Sequence, residues 1–438
     1  MYRSAMEQLL EWKEQTDRKP LLLFGARQVG KSYLLEQFAK ENYQDYVFLN
    51  LEEDPRLAQA FEGSLEPTHV ISQLSQILGK SLDDKEMLYV FDEIQTSNRA
   101  LTALKYFQEN DFPNPVIAAG SLLGVAVNQK DYSLPVGKVN TMLLHPMTFD
   151  EFMLATGNEL MLEGIRKAYK EKQAYQLHDQ AMELFRTYLL VGGMPEAVQT
   201  YANTQDLNEV ARVHRDILNL YLADMAKYAP NTTDVARARD VWNSVPGQLA
   251  KENRKFQYKR VGSGGRAAQY EGAIGWLSAA GLIAKCVRIS SGQVPIRLQE
   301  DAASFKVYAS DTGLLATKGG MPASVLLDEA NSSLLDSSGI TENYIMQEMT
   351  ARNIPIHYWT SNGKAEVDLV VEDGSTKAIP IEVKSSENVR SKSLQVYANK
   401  YEPTRIIRIS AKNYGEGAVE SIPLYAAGCL AEELTHPE

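Results

Sequence analysis

Twelve consecutive residues, Leu21-Leu22-Leu23-Phe24-Gly25-Ala26-Arg27-Gln28-Val29-Gly30-Lys31-Ser32, satisfy G-x-x-x-x-G-K-[ST] at each fixed position. This pattern constrains fold and chemistry together, because such a loop works only between the end of a buried strand and the start of a helix. Both flanks are present: an apolar run precedes Gly25, and Tyr33-Leu34-Leu35-Glu36-Gln37-Phe38 has helical spacing. Glycines let main-chain N–H groups wrap a phosphate while the helix points its positive end at the anion. The spacing therefore predicts an ATP or ADP site built from Gly25, Ala26, Arg27, Gln28, Val29, Gly30, Lys31, Ser32 and Tyr33. Within it Lys31 neutralises phosphate charge and Ser32 ligates Mg2+.

A second apolar run, Leu88-Tyr89-Val90-Phe91, ends in Asp92-Glu93-Ile94-Gln95. A parallel strand buried on both faces is apolar throughout, so the two acids fall at its carboxyl end, where open α/β sheets bind ligands. Asp92 is expected to hold Mg2+, and Glu93 to orient and polarise the water that attacks the γ-phosphate. Ser121 closes the next strand candidate and places a hydroxyl where it can sense that phosphate. A small polar residue is also an ordinary turn former. Between Ser121 and Thr141 there is no arginine, only Lys130 and Lys138. Lysine lacks the planar fork of an arginine finger, so such a finger is not expected from this stretch.

At 438 residues the chain exceeds one ordinary core. With 23% charged and 44% hydrophobic residues it reads as soluble and globular, and a net charge of −11 argues against coating a polyanion. The only cysteines, Cys286 and Cys429, offer neither a disulfide framework nor a zinc spacing, which favours a cytoplasmic location. The first residues read as an amphipathic helix rather than a signal peptide, and no run is long and apolar enough to span a membrane.

Four regions follow along the chain. Residues 1–155 alternate strands and helices, with strand candidates Pro20–Phe24, Asp45–Leu51, Met87–Asp92, Pro115–Ala119 and Thr141–Met147, which predicts a parallel sheet. Residues 156–235 are helical, broken by Gly192-Gly193-Met194-Pro195, and read as a lid. Residues 236–320 give helices and then short strands at Leu282–Ile289, Val294–Leu298 and Phe305–Ala309. Lys318–Gly339 reads as a linker, and 335–438 as a second α/β domain.

Residues 251–300 carry nine cations (Lys251, Arg254, Lys255, Lys259, Arg260, Arg266, Lys285, Arg288, Arg297) against Glu252, Glu271 and Glu300, a local net of +6. Helix, turn at Gly262-Ser263-Gly264-Gly265, helix Arg266–Ala280 and strands resemble a winged helix, with Arg266, Gln269 and Tyr270 leading the helix that would meet DNA. The same module can instead pack against a protein partner.

In the last region Asp368, Glu382 and Lys384 form D-x13-E-x-K on a β-hairpin, Glu366–Val371 and Ile379–Lys384. Glu382 and Lys384 share a strand face and Asp368 lies on the neighbouring strand, so three functional groups can converge. Asp368 and Glu382, with Glu342 from the helical run Thr341–Ala351, are expected to hold Mg2+, and Lys384 to position a water against a phosphodiester. Other readings are a hairpin whose E-x-K is a plain charge pair, and a nuclease-shaped scaffold that does not cut.

The segments GARQVGKS, VFDEIQ, AAGSLLG, LLHPMTFDEF, YLLVGGMPEAV, KVYASDTGLL, GITENYIMQEM, AEVDLVV and IPIEVKSS together resemble the prokaryotic AAA-type ATPases with a C-terminal domain of unknown function. The C-terminal part is similar to the PD-(D/E)XK nucleases, whose core Asp368, Glu382 and Lys384 match, with Glu342 as the helical acid. The resemblance implies an α/β protein with a P-loop AAA-type parallel sheet, helical lid, winged helix and PD-(D/E)XK-like domain. It implies an ATPase that couples nucleotide state to DNA binding or processing, or a nucleotide-controlled switch that binds a protein partner through a silent nuclease-like domain. Homo-oligomerisation stays open. The chain departs from that pattern at Gly137-Lys138, where Gly-Arg is common, and at Leu122, where a second serine often follows the sensor strand.

Overall fold

A computed structural model describes residues 1–83, 86–121, 137–228, 232–251, 253–262, 264–327, 335–336, 338–361, 365–387 and 392–435. Leu122, Lys130, Glu252 and Ser263 lie outside the described residues. The chain divides into two compact units, one of Arg3–His145 with Ala279–Gly281, the other of Met1–Tyr2, Pro146–Ser278 and Leu282–Glu438.

The first unit is built on a parallel sheet of β1 (Leu21–Phe24), β2 (Tyr46–Asn50), β3 (Leu88–Asp92), β4 (Val116–Gly120) and β5 (Asn140–Leu143), in the order β2-β3-β4-β1-β5. The central β3 and β4 are buried at each position, as their unbroken apolar runs require, whereas β2 at one edge alternates half-buried and buried. The helix Lys31–Asn42 buries Leu34, Leu35, Phe38 and Ala39, and the helix Asn98–Glu109 buries Leu101, Leu104 and Phe107. Each of the five strands expected in this region is present, with ends shifted by a few residues.

The second unit opens with helices, among them Phe149–Ala155, Glu159–Lys170, His178–Val191, Pro195–Thr204, Leu207–Tyr228 and Thr232–Leu249. Gly192 ends one helix and Pro195 begins the next, the asymmetry these residue types favour. The sheet that follows has seven strands: β6 (Ile283–Ile289), β7 (Glu300–Ala309), β8 (His357–Thr360), β9 (Glu366–Val371), β10 (Ile379–Val383), β11 (Ile407–Ser410) and β12 (Glu420–Pro423). Their order is β12-β11-β10-β9-β8-β6-β7.

Three expectations change here. The hairpin expected as a wing, β6 with β7, is not free-standing: β6 pairs in parallel with β8, so residues assigned to two separate regions share one sheet. Val294–Leu298 is no strand, because proline has no N–H for a ladder and Ile296–Gln299 forms a 3-10 turn. The expected linker begins inside the helix Thr312–Gly319 and includes the helix Ala323–Leu327, whose Leu326 is buried. Among the described residues no helix is long and apolar enough to cross a membrane.

Candidate functional site

The loop after β1 closes tightly. A side-chain carbon on Gly25 would lie 2.2 Å from the Leu144 carbonyl oxygen, and Gly30 takes φ +90° at the start of the helix, so both positions require glycine. Arg3, buried, donates to the carbonyl oxygens of Val29 (2.8 Å) and His145 (2.7 Å) and so braces the loop from the N-terminal segment. The sequence pattern carried no sign of that brace.

Lys31 is buried, its Nζ donating to Ala26 O (2.9 Å) and Gly25 O (3.0 Å). Burial pulls its ammonium down to about 8, against Glu93 and Asp92, which favour the charged form. Ser32 Oγ donates to Asp92 Oδ2 at 2.6 Å. A hydroxyl and a carboxylate side by side are the hard oxygen donors that suit Mg2+. Glu93 follows with φ +51°, its N–H on Asp92 Oδ1 (3.0 Å) and its carboxylate bonded to Gln95. Burial raises the Glu93 carboxyl above the ordinary range, with the Gln95 hydrogen bond opposing.

Gln28, within the loop, also has positive φ, +69°. Non-glycine residues held there cost about 1–3 kcal/mol each and gather where geometry serves chemistry. Ser121 is buried at the tip of β4, between β3 and β1. Arg27 pairs with Glu52 at 3.4 Å, Tyr33 is exposed, and Lys138 pairs with Glu109 at 3.2 Å.

The D-x13-E-x-K residues lie in the second unit. Asp368 on β9 accepts the Val383 N–H at 2.9 Å, which brings it beside β10 between Glu382 and Lys384. Glu382 stands 3.7 Å from Lys384 Nζ and 3.8 Å from Arg408 Nε, and Arg408 is its register partner on β11. Glu342, from the helix Ile340–Ala351, does not face an open site. One oxygen takes Arg254, the other takes Lys306 Nζ at 3.0 Å and the Tyr308 hydroxyl. Burial works to raise Glu342, but Lys306, Arg254 and Tyr308 hold it down to about 2. Burial and then the Glu342 charge raise Asp368 to about 6, against Lys306, Lys384 and the Val383 N–H. Among the described residues no group of three or more His, Cys, Asp or Glu is arranged to hold a metal ion, so the expected set Glu342, Asp368 and Glu382 is not assembled as one.

Lys306 went unnoticed in the sequence, although a lysine inside Phe305-Lys306-Val307-Tyr308-Ala309 is the kind of buried charge that demands partners. The +6 stretch is also less free than its count implies. Arg254 turns inward to Glu342 and Arg288 pairs with Asp301, just beyond the counted window, at 2.5 Å. Lys255, Lys259, Arg260 and Arg266 remain exposed.

Residues 17–153 match a family described as an AAA domain, 182–318 a domain of unknown function (DUF8612), and 337–426 a domain of unknown function (DUF4143). With the five-stranded parallel sheet, the first match makes this region an AAA-type P-loop domain of the NTPase fold. Among solved structures the chain is similar to a Walker-type ATPase of Pyrococcus abyssi, at 18% identity over 72% of this chain and 95% of that one, TM-score 0.43. It is also similar to the ORC1 protein of Aeropyrum pernix in complex with DNA, at 14% identity over 74% and 92%, TM-score 0.29. A third is the RuvB Holliday junction branch migration motor of Thermotoga maritima, at 16% identity over 65% and 89%, TM-score 0.29. No curated protein matches the chain.

Proposed function

We propose that the chain binds ATP with Mg2+ and hydrolyses it in the loop between β1 and the helix Lys31–Asn42. The hydrogen bond from Ser32 to Asp92, with Glu93 next in sequence, carries the reading, because it joins the two motifs into one oxygen-lined corner. Bound Mg2+ would supply charge neutralisation at the phosphates. Ser32 and Asp92 would hold that ion, Lys31 would neutralise phosphate, Ser121 would sense the γ-phosphate, and Glu93 would orient and polarise the attacking water. Lys31→Ala is expected to weaken nucleotide binding, whereas Glu93→Gln keeps binding and lowers turnover roughly 10²- to 10³-fold. Equal hydrolysis by the wild type and both variants overturns the assignment.

A second reading concerns DNA, and the exposed Lys255, Lys259, Arg260 and Arg266 favour it. Such a surface binds duplex with steep salt dependence, and replacing Lys259, Arg260 and Arg266 by Ala flattens that slope. No duplex binding at low salt, with or without ATP, leaves this face to a protein partner. The crowding of cations on Glu342 favours a nuclease-like fold used as a scaffold over one that cuts.

A further inference from the structure

The buried cluster of the second unit disagrees with the divalent-ion site that its D-x13-E-x-K spacing implies. Lys306 Nζ lies 2.7 Å from Glu366 Oε1 and 3.0 Å from Glu342 Oε1, with the Tyr358 ring centroid 5.0 Å away. Its side chain is wholly buried. The second oxygen of Glu342 takes Arg254, and Glu382 has Lys384 and Arg408 within 4.0 Å. Glu342, Glu366 and Glu382 thus each have a cationic partner already, and Asp368 is hydrogen-bonded to the Val383 N–H.

A small divalent ion gives up its water reluctantly, and does so for clustered carboxylates whose negative charge is not otherwise balanced. In this cluster the balancing charge is part of the chain. We propose that Lys306 is the resident cation of the cluster, fixed on β7 between Glu342 and Glu366 in place of a divalent ion. The cluster then holds the helix Ile340–Ala351 to the sheet without metal, and it cannot perform metal-assisted phosphodiester hydrolysis. Lys306 and Arg254 fall within residues 182–318, and the four motif residues within 337–426, so each matched segment of unknown function completes the other's charge balance. The inference does not rest on the nucleotide reading.

The test titrates the full chain, free of nucleotide, with Mn2+ and follows the free ion by electron paramagnetic resonance. The wild type and Asp368→Asn are expected to give the same curve up to ~1 mM. Lys306→Met is expected to gain one further Mn2+ per chain, and the double variant Lys306→Met with Asp368→Asn to lose it. A wild-type Mn2+ site that Asp368→Asn removes overturns the proposal, as does a folded Lys306→Met without the gain. Should Lys306→Met not fold, Lys306→Gln, which keeps a hydrogen-bond donor and removes the charge, enters the same comparison. A failure of the ATPase assignment leaves these outcomes unchanged, since nucleotide is absent throughout.

Discussion

Lys31 Nζ donates to the carbonyl oxygen of Ala26 at 2.9 Å, so the cation proposed to meet a phosphate is tied to the backbone of its own loop. Burial lowers its pKa to about 8, and a bound phosphate favours the charged form, which raises it again. Binding therefore takes up a proton once the free protein has lost it. Nucleotide affinity should hold steady below pH 8 and weaken by up to about tenfold per pH unit above it. Calorimetry in buffers of different ionisation heat measures the uptake directly. A flat affinity and no proton uptake from pH 7 to about 9.5 refute this.

Ser32→Ala removes a hydroxyl that lies against Asp92 and leaves the loop backbone in place. Hydrolysis should then need roughly 10- to 100-fold more Mg2+ for half-saturation, while metal-free nucleotide binding changes little. A Mg2+ titration of turnover at fixed ATP decides it, and an unchanged half-saturation point removes Ser32 from the metal site.

His214 is buried between Thr317 Oγ1 (2.8 Å) and Val191 O (3.0 Å), and burial lowers its pKa to about 4. The carbonyl fixes Nε2 as donor, so Nδ1 accepts from the hydroxyl and the ring is neutral. Because the folded pKa lies below the unfolded one, this contribution to stability is complete above about pH 6.5 and is lost as the pH falls toward 4. The loss should be on the order of 3 kcal/mol. Denaturant melts of the wild type and His214→Gln across that range check it, and the variant's slope with pH should be shallower.

Asp311 accepts the N–H groups of Gly193 (2.6 Å) and Leu314 (2.8 Å), capping the helix Thr312–Gly319 while holding the turn that follows His178–Val191. Asp311→Ala leaves buried donors without acceptors and should destabilise the second unit by about 2–4 kcal/mol. Thermal melts report it. A variant as stable as the wild type shows that water replaces the carboxylate.

The nucleotide loop was legible because its chemistry depends on near neighbours in sequence: Gly25, Gly30, Lys31 and Ser32 sit within eight residues. The β9–β10 hairpin was legible for the same reason, as two mostly apolar runs on either side of the turn residues Asp373-Gly374-Ser375. Arg3, Arg254 and Lys306 were not, since each reaches a partner at least 26 residues away, a relationship that no local pattern encodes. Glu342 shows the difference well. Its helix was readable, but its two cations come from elsewhere, and they decide what the carboxylate can do. The place of β6 beside β8 was hidden likewise, because an apolar strand edge does not name its neighbour.

The pairing of β6 with β8 also fixes how this chain can be divided. A piece beginning at residue 335 would keep β8 through β12 but lose β6, β7, Lys306 and Arg254, leaving an apolar strand edge open and Glu342 deprived of both counter-charges. Such a piece is expected to self-associate rather than fold alone. A backbone nick between Gly319 and Gly339, by contrast, should leave both fragments bound together, since β6 on one fragment pairs with β8 on the other at three ladder positions, and Arg254 and Lys306 reach Glu342 across the nick. Anyone exchanging the C-terminal segment between relatives would have to carry residues 283–309 with it.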